Sequence, residues 1–210
     1  MRNATRLLLL AALVAASVSC GDVVRQGSSP VYLVIDLLQA IRGGPTAGTP
    51  SSTLTSDVIT NVTTPAASCG PPLLPCPTIF GDSGTVTLRA PLKDIGGTTT
   101  LAPTTNNEVT INRVRVEYTR ADGRNTQGID VPFAFDGAVT GTIPASGSLT
   151  LGFELVRNVA KQESPLAQLR TSPNIISSIA KVTFYGVDRT GNAVSVIGQI
   201  QIEFGNFGDF

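Results

Sequence analysis

The sequence predicts an all-β protein, an antiparallel β-sandwich of about seven or eight strands, on three observations. Charged residues make up only 14% of the chain, while Gly, Pro, Thr and Ser are abundant. That composition is too apolar for a disordered chain and too poor in strong helix formers for a helical one. Short segments of alternating apolar and polar residues recur along the second half. Turn chemistry separates them at intervals of about 10–20 residues.

The chain opens with a segment of a different kind. Arg2 and Arg6 precede an apolar run from Leu7 to Ala16, and Ser17-Val18-Ser19 supplies small residues before Cys20. A basic start, a short apolar core and a small-residue cleavage zone make an export signal. The run falls short of the roughly 20 apolar residues a bilayer-spanning helix needs. Residues 1–19 are therefore read as a cleaved signal peptide, 20–30 as a tether and 31–210 as one β-sandwich domain.

Ser17-Val18-Ser19-Cys20 resembles the lipobox of bacterial lipoproteins. The resemblance covers only this junction and departs from the usual pattern by having Ser17 where the family has Leu. It implies cleavage before Cys20, a lipid on the Cys20 thiol, and attachment to the cell envelope. Gly21 after the cysteine implies the outer membrane under the enterobacterial sorting rule. The same residues also satisfy an ordinary export cleavage site, which would leave the protein secreted.

The other two cysteines fit an oxidising compartment. With Cys20 lipidated, Cys69 and Cys76 remain as a pair around Gly-Pro-Pro-Leu-Leu-Pro, and a local disulfide is expected. Their spacing is not the two-residue spacing of redox and zinc motifs.

Along the mature chain, Val31 to Ile41 (VYLVIDLLQAI) is the longest apolar run. It reads as strand in its first half, with strand or helix open beyond that. Thr53 to Val62 is polar enough for an edge strand. Thr85 to Leu88 alternates. Glu108 to Arg120 alternates and then changes phase at Asn112-Arg113, the footprint of a β-bulge. Ile129, Val131, Phe133 and Phe135 suggest one face of an edge strand containing Pro132. Leu149, Leu151, Phe153 and Leu155 form another apolar face. Ser164-Pro165 is expected to cap a short helix reaching Leu169. The clearest pattern closes the chain: Ala180, Val182 and Phe184, a turn at Asp188 to Asn192, then Val194, Val196, Ile200, Ile202 and Phe204. By strand count the region looks like an immunoglobulin- or fibronectin-III-like fold, although it contains no Trp.

Chemistry is narrowed by the absence of histidine, which removes Ser-His-Asp and Cys-His catalysis and His-rich zinc sites. Losing Arg2 and Arg6 from the 15 basic residues leaves 13 against 15 acidic, a net of −2. No basic excess points to nucleic acid. Carboxylate chemistry would need two acids converging across a cleft. The candidates Asp82, Asp94, Asp122, Asp130, Asp136 and Asp188 all lie in or near expected turns, where such side chains bind their own backbone or face water. Asp188 and Asn192 are a weak calcium candidate, against a plain turn with Gly191 and Asn192 in left-handed conformations. Arg113, Arg115, Arg120 and Arg124 read as a solvated strand face, or as a docking face for an acidic partner. No cofactor is expected.

The sequence thus leads to a non-enzymatic, lipid-anchored envelope module with an envelope protein or glycan as partner. The alternatives are a carboxylate-based glycoside hydrolase and a secreted carbohydrate-binding module.

Overall fold

The computed structural model describes residues 28–46, 48–62, 75–93 and 102–208. Its strands are β1 (Val34–Ile41), β2 (Thr53–Asp57), β3 (Thr60–Val62), β4 (Cys76–Thr78), β5 (Asp82–Arg89), β6 (Val109–Thr119), β7 (Phe135–Ile143), β8 (Ser148–Val156), β9 (Ile176–Asp188) and β10 (Ala193–Gly205). One sheet has the order β1-β5-β8 and the other β2-β10-β9-β6-β7, with β3-β4 as a small separate pair. The all-β sandwich is as the sequence predicts, with ten strands among the described residues rather than the seven or eight expected. Pairing is antiparallel except that β2 runs parallel to β10. Three strands on one side (β1, β5, β8) face a sheet whose centre is β10-β9-β6. That order corresponds to the A-B-E and G-F-C strands of an immunoglobulin-like sandwich. The chain leaves β1, crosses over, and adds β2 beside the last strand.

Alternation explains most of this. Val114, Val116 and Tyr118 of β6 are buried, as are Ala180, Val182 and Phe184 of β9 and Ile200, Ile202 and Phe204 of β10. They meet Val86 and Leu88 of β5 and Phe153 and Leu155 of β8 in one core. Each such side chain contributes about 1.5–3 kcal/mol when fully buried. Phe153 meets Phe184 edge-on across the two sheets, with ring centroids 5.3 Å apart. Tyr118 also spans them, its hydroxyl donating to the Leu155 carbonyl at 2.6 Å. Burial pushes the Tyr118 phenol pKa well above its ordinary value, so that proton stays on the oxygen. Opposite Phe153 in the β5–β8 pair is Gly84, and the phenyl ring occupies the space a Cβ there would need.

The bulge falls where the phase changes. Both pairings of β6 shift register between Ile111 and Arg113, leaving Asn112 unpaired. The alternation therefore restarts with Val114 facing inward.

Several elements differ from expectation. Val31–Ile41 carries strand through its second half, and a register shift at Asp36 turns Leu37 outward, 50% exposed. Thr53–Val62 is two strands, broken at Val58 and Ile59, the first pairing with β10, where the Val58 N–H still reaches the Gly205 carbonyl at 3.0 Å, and the second with β4. Ile129–Phe133 is a loop. Gly128 has φ +76°, and the Gly128, Asp130 and Val131 amides are all satisfied within residues 126–131. Val131 is buried while Ile129 and Phe133 are exposed. The strand starts only at Phe135, through the small residues of β7. The helix after Pro165 is 3-10, spanning Leu166–Thr171, and Ser164 makes no side-chain cap. Ser29 is buried, and the Pro30 carbonyl accepts the Lys93 N–H at 2.8 Å.

Candidate functional site

Three side-chain clusters carry the chemistry of the described residues, and the deepest was not expected. At one end of the sandwich the 3-10 turn Ala160–Gln162 follows β8 and sends Lys161 inward. Its Nζ lies 2.8 Å from Asp82 Oδ2, with the two side chains 1% and 0% exposed. The same Nζ donates to the Asp57 carbonyl oxygen at 2.8 Å. Asp82 is the first residue of β5 and Asp57 the last of β2, so Lys161 touches both sheets.

Each carboxylate is further held. Asp82 Oδ1 accepts the Gly43 N–H at 2.8 Å, and Oδ2 accepts the Ser56 hydroxyl at 2.6 Å. Asp57 Oδ2 accepts Arg42 at 3.0 Å and the Thr60 hydroxyl at 2.9 Å. Asp57 Oδ1 accepts the Phe207 N–H at 3.2 Å, which packs the C-terminal tail onto the domain. Burial pushes the Lys161 pKa down, against the raising effect of Asp82. A buried pair of this kind requires satisfied hydrogen bonds to offset desolvation, and here the strand ends supply them. The sequence places Asp82 in or near a turn, bonded to its own backbone or facing water; it is instead 1% exposed at the start of β5. Lys161 and Asp57 were not singled out at all. The only signal available was that the short segment Val159-Ala160-Lys161 places a lysine among small apolar residues, which is too common to read.

The second cluster is the turn after β9. Asp188 Oδ1 accepts the Thr190 N–H and hydroxyl at 2.9 and 2.7 Å and the Asn192 N–H at 2.8 Å, while Oδ2 accepts Asn192 Nδ2 at 3.0 Å. Both oxygens are thus bonded to donors of the loop, with Ser29 as a further donor, as the turn reading expects of Asp188 and Asn192. Burial would raise the Asp188 pKa, but the bonds from Thr190 and Asn192 outweigh it and hold it at about 2. Gly191 has φ +88°, whereas Asn192 does not adopt the left-handed conformation expected of it.

The third cluster is exposed. Asp136 of β7 accepts Arg113 at 3.2 Å and Arg115 at 2.7 Å, and Arg115 also reaches Glu117 at 3.2 Å. Arg113 stacks on the Tyr185 ring, 3.8 Å from its centroid. Arg120 and Arg124 both bind Asp122, at 2.6 and 2.7 Å. Those bonds hold the Asp122 carboxyl well below the usual carboxylate range. The arginine cluster is thus paired with acids of its own face.

A surface groove of about 560 Å³ lies between the end of β5 and the β7–β8 turn, lined by Asp36, Arg89, Leu92, Pro103 and Ser146 among others. Its acid among the described residues, Asp36, is bound to Arg89 at 2.6 Å. Asp130 accepts the Thr126 N–H at 3.1 Å within its loop. Cys20, Cys69 and Asp94 lie outside the described residues. Cys76 is buried at the start of β4. Among the described residues no helix is long and apolar enough to cross a membrane.

No family model matches the chain, and no curated protein matches it. One solved structure, the X-ray structure of Northeast Structural Genomics Consortium target SoR45, aligns over 84% of this chain and 86% of its own at 12% identity, with a TM-score of 0.36.

Proposed function

We propose that this chain is a lipid-anchored cell-envelope protein whose sandwich acts as a non-enzymatic binding or structural module. The observation that carries the non-enzymatic part is the fate of the carboxylates. Asp36, Asp57, Asp82, Asp122, Asp130, Asp136 and Asp188 are each committed to a named cation or to donors of the fold. Among the described residues the groove beside Asp36 contributes that acid alone, whereas glycoside hydrolysis needs two carboxyls flanking the bond to be cut. Support for the anchor comes from the sequence of residues 1–21. On this reading the membrane is engaged through the Cys20 lipid, and the partner is an envelope protein or glycan.

The same reading includes a Cys69–Cys76 disulfide. Two cysteines with six residues between them, around a Pro-rich loop in a chain read as exported, support it. A loop that short is worth roughly 2–3 kcal/mol.

Mass spectrometry of protein extracted from membranes tests the anchor. The first peptide should begin at Cys20 and carry the mass of the attached acyl chains. An unmodified peptide beginning at Cys20, or a mature start elsewhere, overturns it.

A further inference from the structure

We infer that Lys161 and Asp82 are poised to join covalently, through an amide bond between Lys161 Nζ and Asp82 Cγ, making the domain internally cross-linked. The amine is already hydrogen-bonded to the carboxyl group whose carbon it would attack. Nζ lies 2.8 Å from Oδ2, and neither side chain is more than 1% exposed, so the approach is intramolecular and water is excluded. Effective molarities for groups held this way are high.

The surrounding donors and acceptors are arranged for the reaction. The Asp57 carbonyl accepts a proton of Nζ at 2.8 Å and fixes the direction of the amine. The Gly43 N–H, 2.8 Å from Oδ1, would stabilise negative charge developing on that oxygen, as an oxyanion-binding donor does. The Ser56 hydroxyl lies 2.6 Å from Oδ2, where it can relay a proton to the departing oxygen.

The step balances without a co-reactant. The ammonium first gives a proton to the carboxylate, leaving a neutral amine and a carboxylic acid. The Nζ lone pair attacks Cγ, the C–N bond forms and the Cγ–Oδ2 bond breaks. Oδ2 leaves as water, carrying the transferred proton and one from the amine, while Oδ1 becomes the amide oxygen. Burial favours this direction because it penalises both charges of the ion pair and neither end of an amide. It also lowers the Lys161 pKa and so eases the first proton transfer. The remaining amide N–H keeps the Asp57 carbonyl as its acceptor. The cross-link would tie the turn after β8 to the start of β5, directly beside the end of β2.

The test uses the full mature chain, purified, reduced and denatured. Its intact mass should be lower by one water than the sequence requires. Proteolysis should yield a branched peptide joining the segments that contain Asp82 and Lys161. Lys161→Arg, which keeps the charge and removes the nucleophilic amine, should restore the full mass. If wild-type protein has the full mass and gives the two linear peptides, the pair is an ion pair only and the inference is overturned. That measurement does not depend on any variant folding.

Discussion

The two ends of the charge inventory make an instructive pair. The Lys161–Asp82 cluster and the Arg113–Arg115–Asp136 ladder each pair a basic side chain with an aspartate at nearly the same distances, 2.8 Å against 2.7 and 3.2 Å. Their surroundings differ completely. Lys161 and Asp82 are shut inside the end of the sandwich, whereas Arg113 and Asp136 are 48% and 42% exposed. Proximity is therefore a poor guide to what an ion pair contributes. The unpaired state decides it: a lone charge on the ladder returns to water, and a lone charge beside β5 has nowhere to go.

The largest effect expected from that difference is at Asp82. Asp82→Ala leaves the Lys161 ammonium buried without its partner and strips acceptors from Ser56 and Gly43. The loss should be about 3–5 kcal/mol in urea unfolding. Adding Lys161→Met to the same chain should recover part of it, because the second change removes the stranded charge. An Asp82→Ala protein as stable as wild type would show that water reaches this end of the sandwich.

Burial should act without charge as well. Ile200 is 4% exposed on the inner face of β10, and its neighbour Gln201 points outward. Ile200→Asn should cost about 2–4 kcal/mol, from lost apolar burial and an amide with no partner. Gln201→Ser should stay within about 0.5 kcal/mol. The reverse ranking would mean that the strand register is wrong by one residue.

Asp188 falls between the extremes, being buried yet bonded mainly within its own turn, with Ser29 as a further donor. Its pKa is lowered from 3.8 to about 2 in the folded protein. For a carboxyl lowered on folding, the stabilisation is complete above the unfolded pKa and disappears as pH falls through the folded one. Wild type should therefore exceed Asp188→Asn by roughly 1–2 kcal/mol near neutral pH. The gap should close between about pH 4 and pH 2. A gap independent of pH would assign the turn's stability to backbone geometry and leave the carboxylate no role.

The same contrast explains what could be read in the sequence. The β9–β10 hairpin was legible because alternation, turn residues and pairing all sit within one continuous stretch. The bulge at Asn112 was legible for the same reason, since Ile111 and Val114 record the change of phase themselves. By contrast, β7 was missed because Gly137, Ala138 and Gly141 carry no apolar pattern, and its position depends on pairing to the already formed β6. The spacing of Ile129, Val131 and Phe133 imitated a strand because composition cannot show that the amides of residues 128–131 close on one another. The Lys161 cluster was out of reach altogether. Lys161, Asp82, Asp57 and Arg42 are far apart in the chain, and they meet only because the ends of β2 and β5 come together.

The smallest effect expected is on the ladder. Asp136→Ala removes the shared acceptor of Arg113 and Arg115, yet Arg115 keeps Glu117 and Arg113 keeps the Tyr185 ring. Both guanidinium groups also remain open to water. The loss should be about 0.2–1 kcal/mol in low salt. It should vanish near 1 M salt, where the screening length is about 3 Å. Comparing this variant with Asp82→Ala at both salt concentrations separates the two clusters, because the buried pair has little solvent around it to screen. If Asp136→Ala instead costs more than about 2 kcal/mol and ignores salt, the ladder is holding β7 onto β6. Exposure would then have failed to distinguish the two sites, and the paired arginine face would have to count as part of the framework.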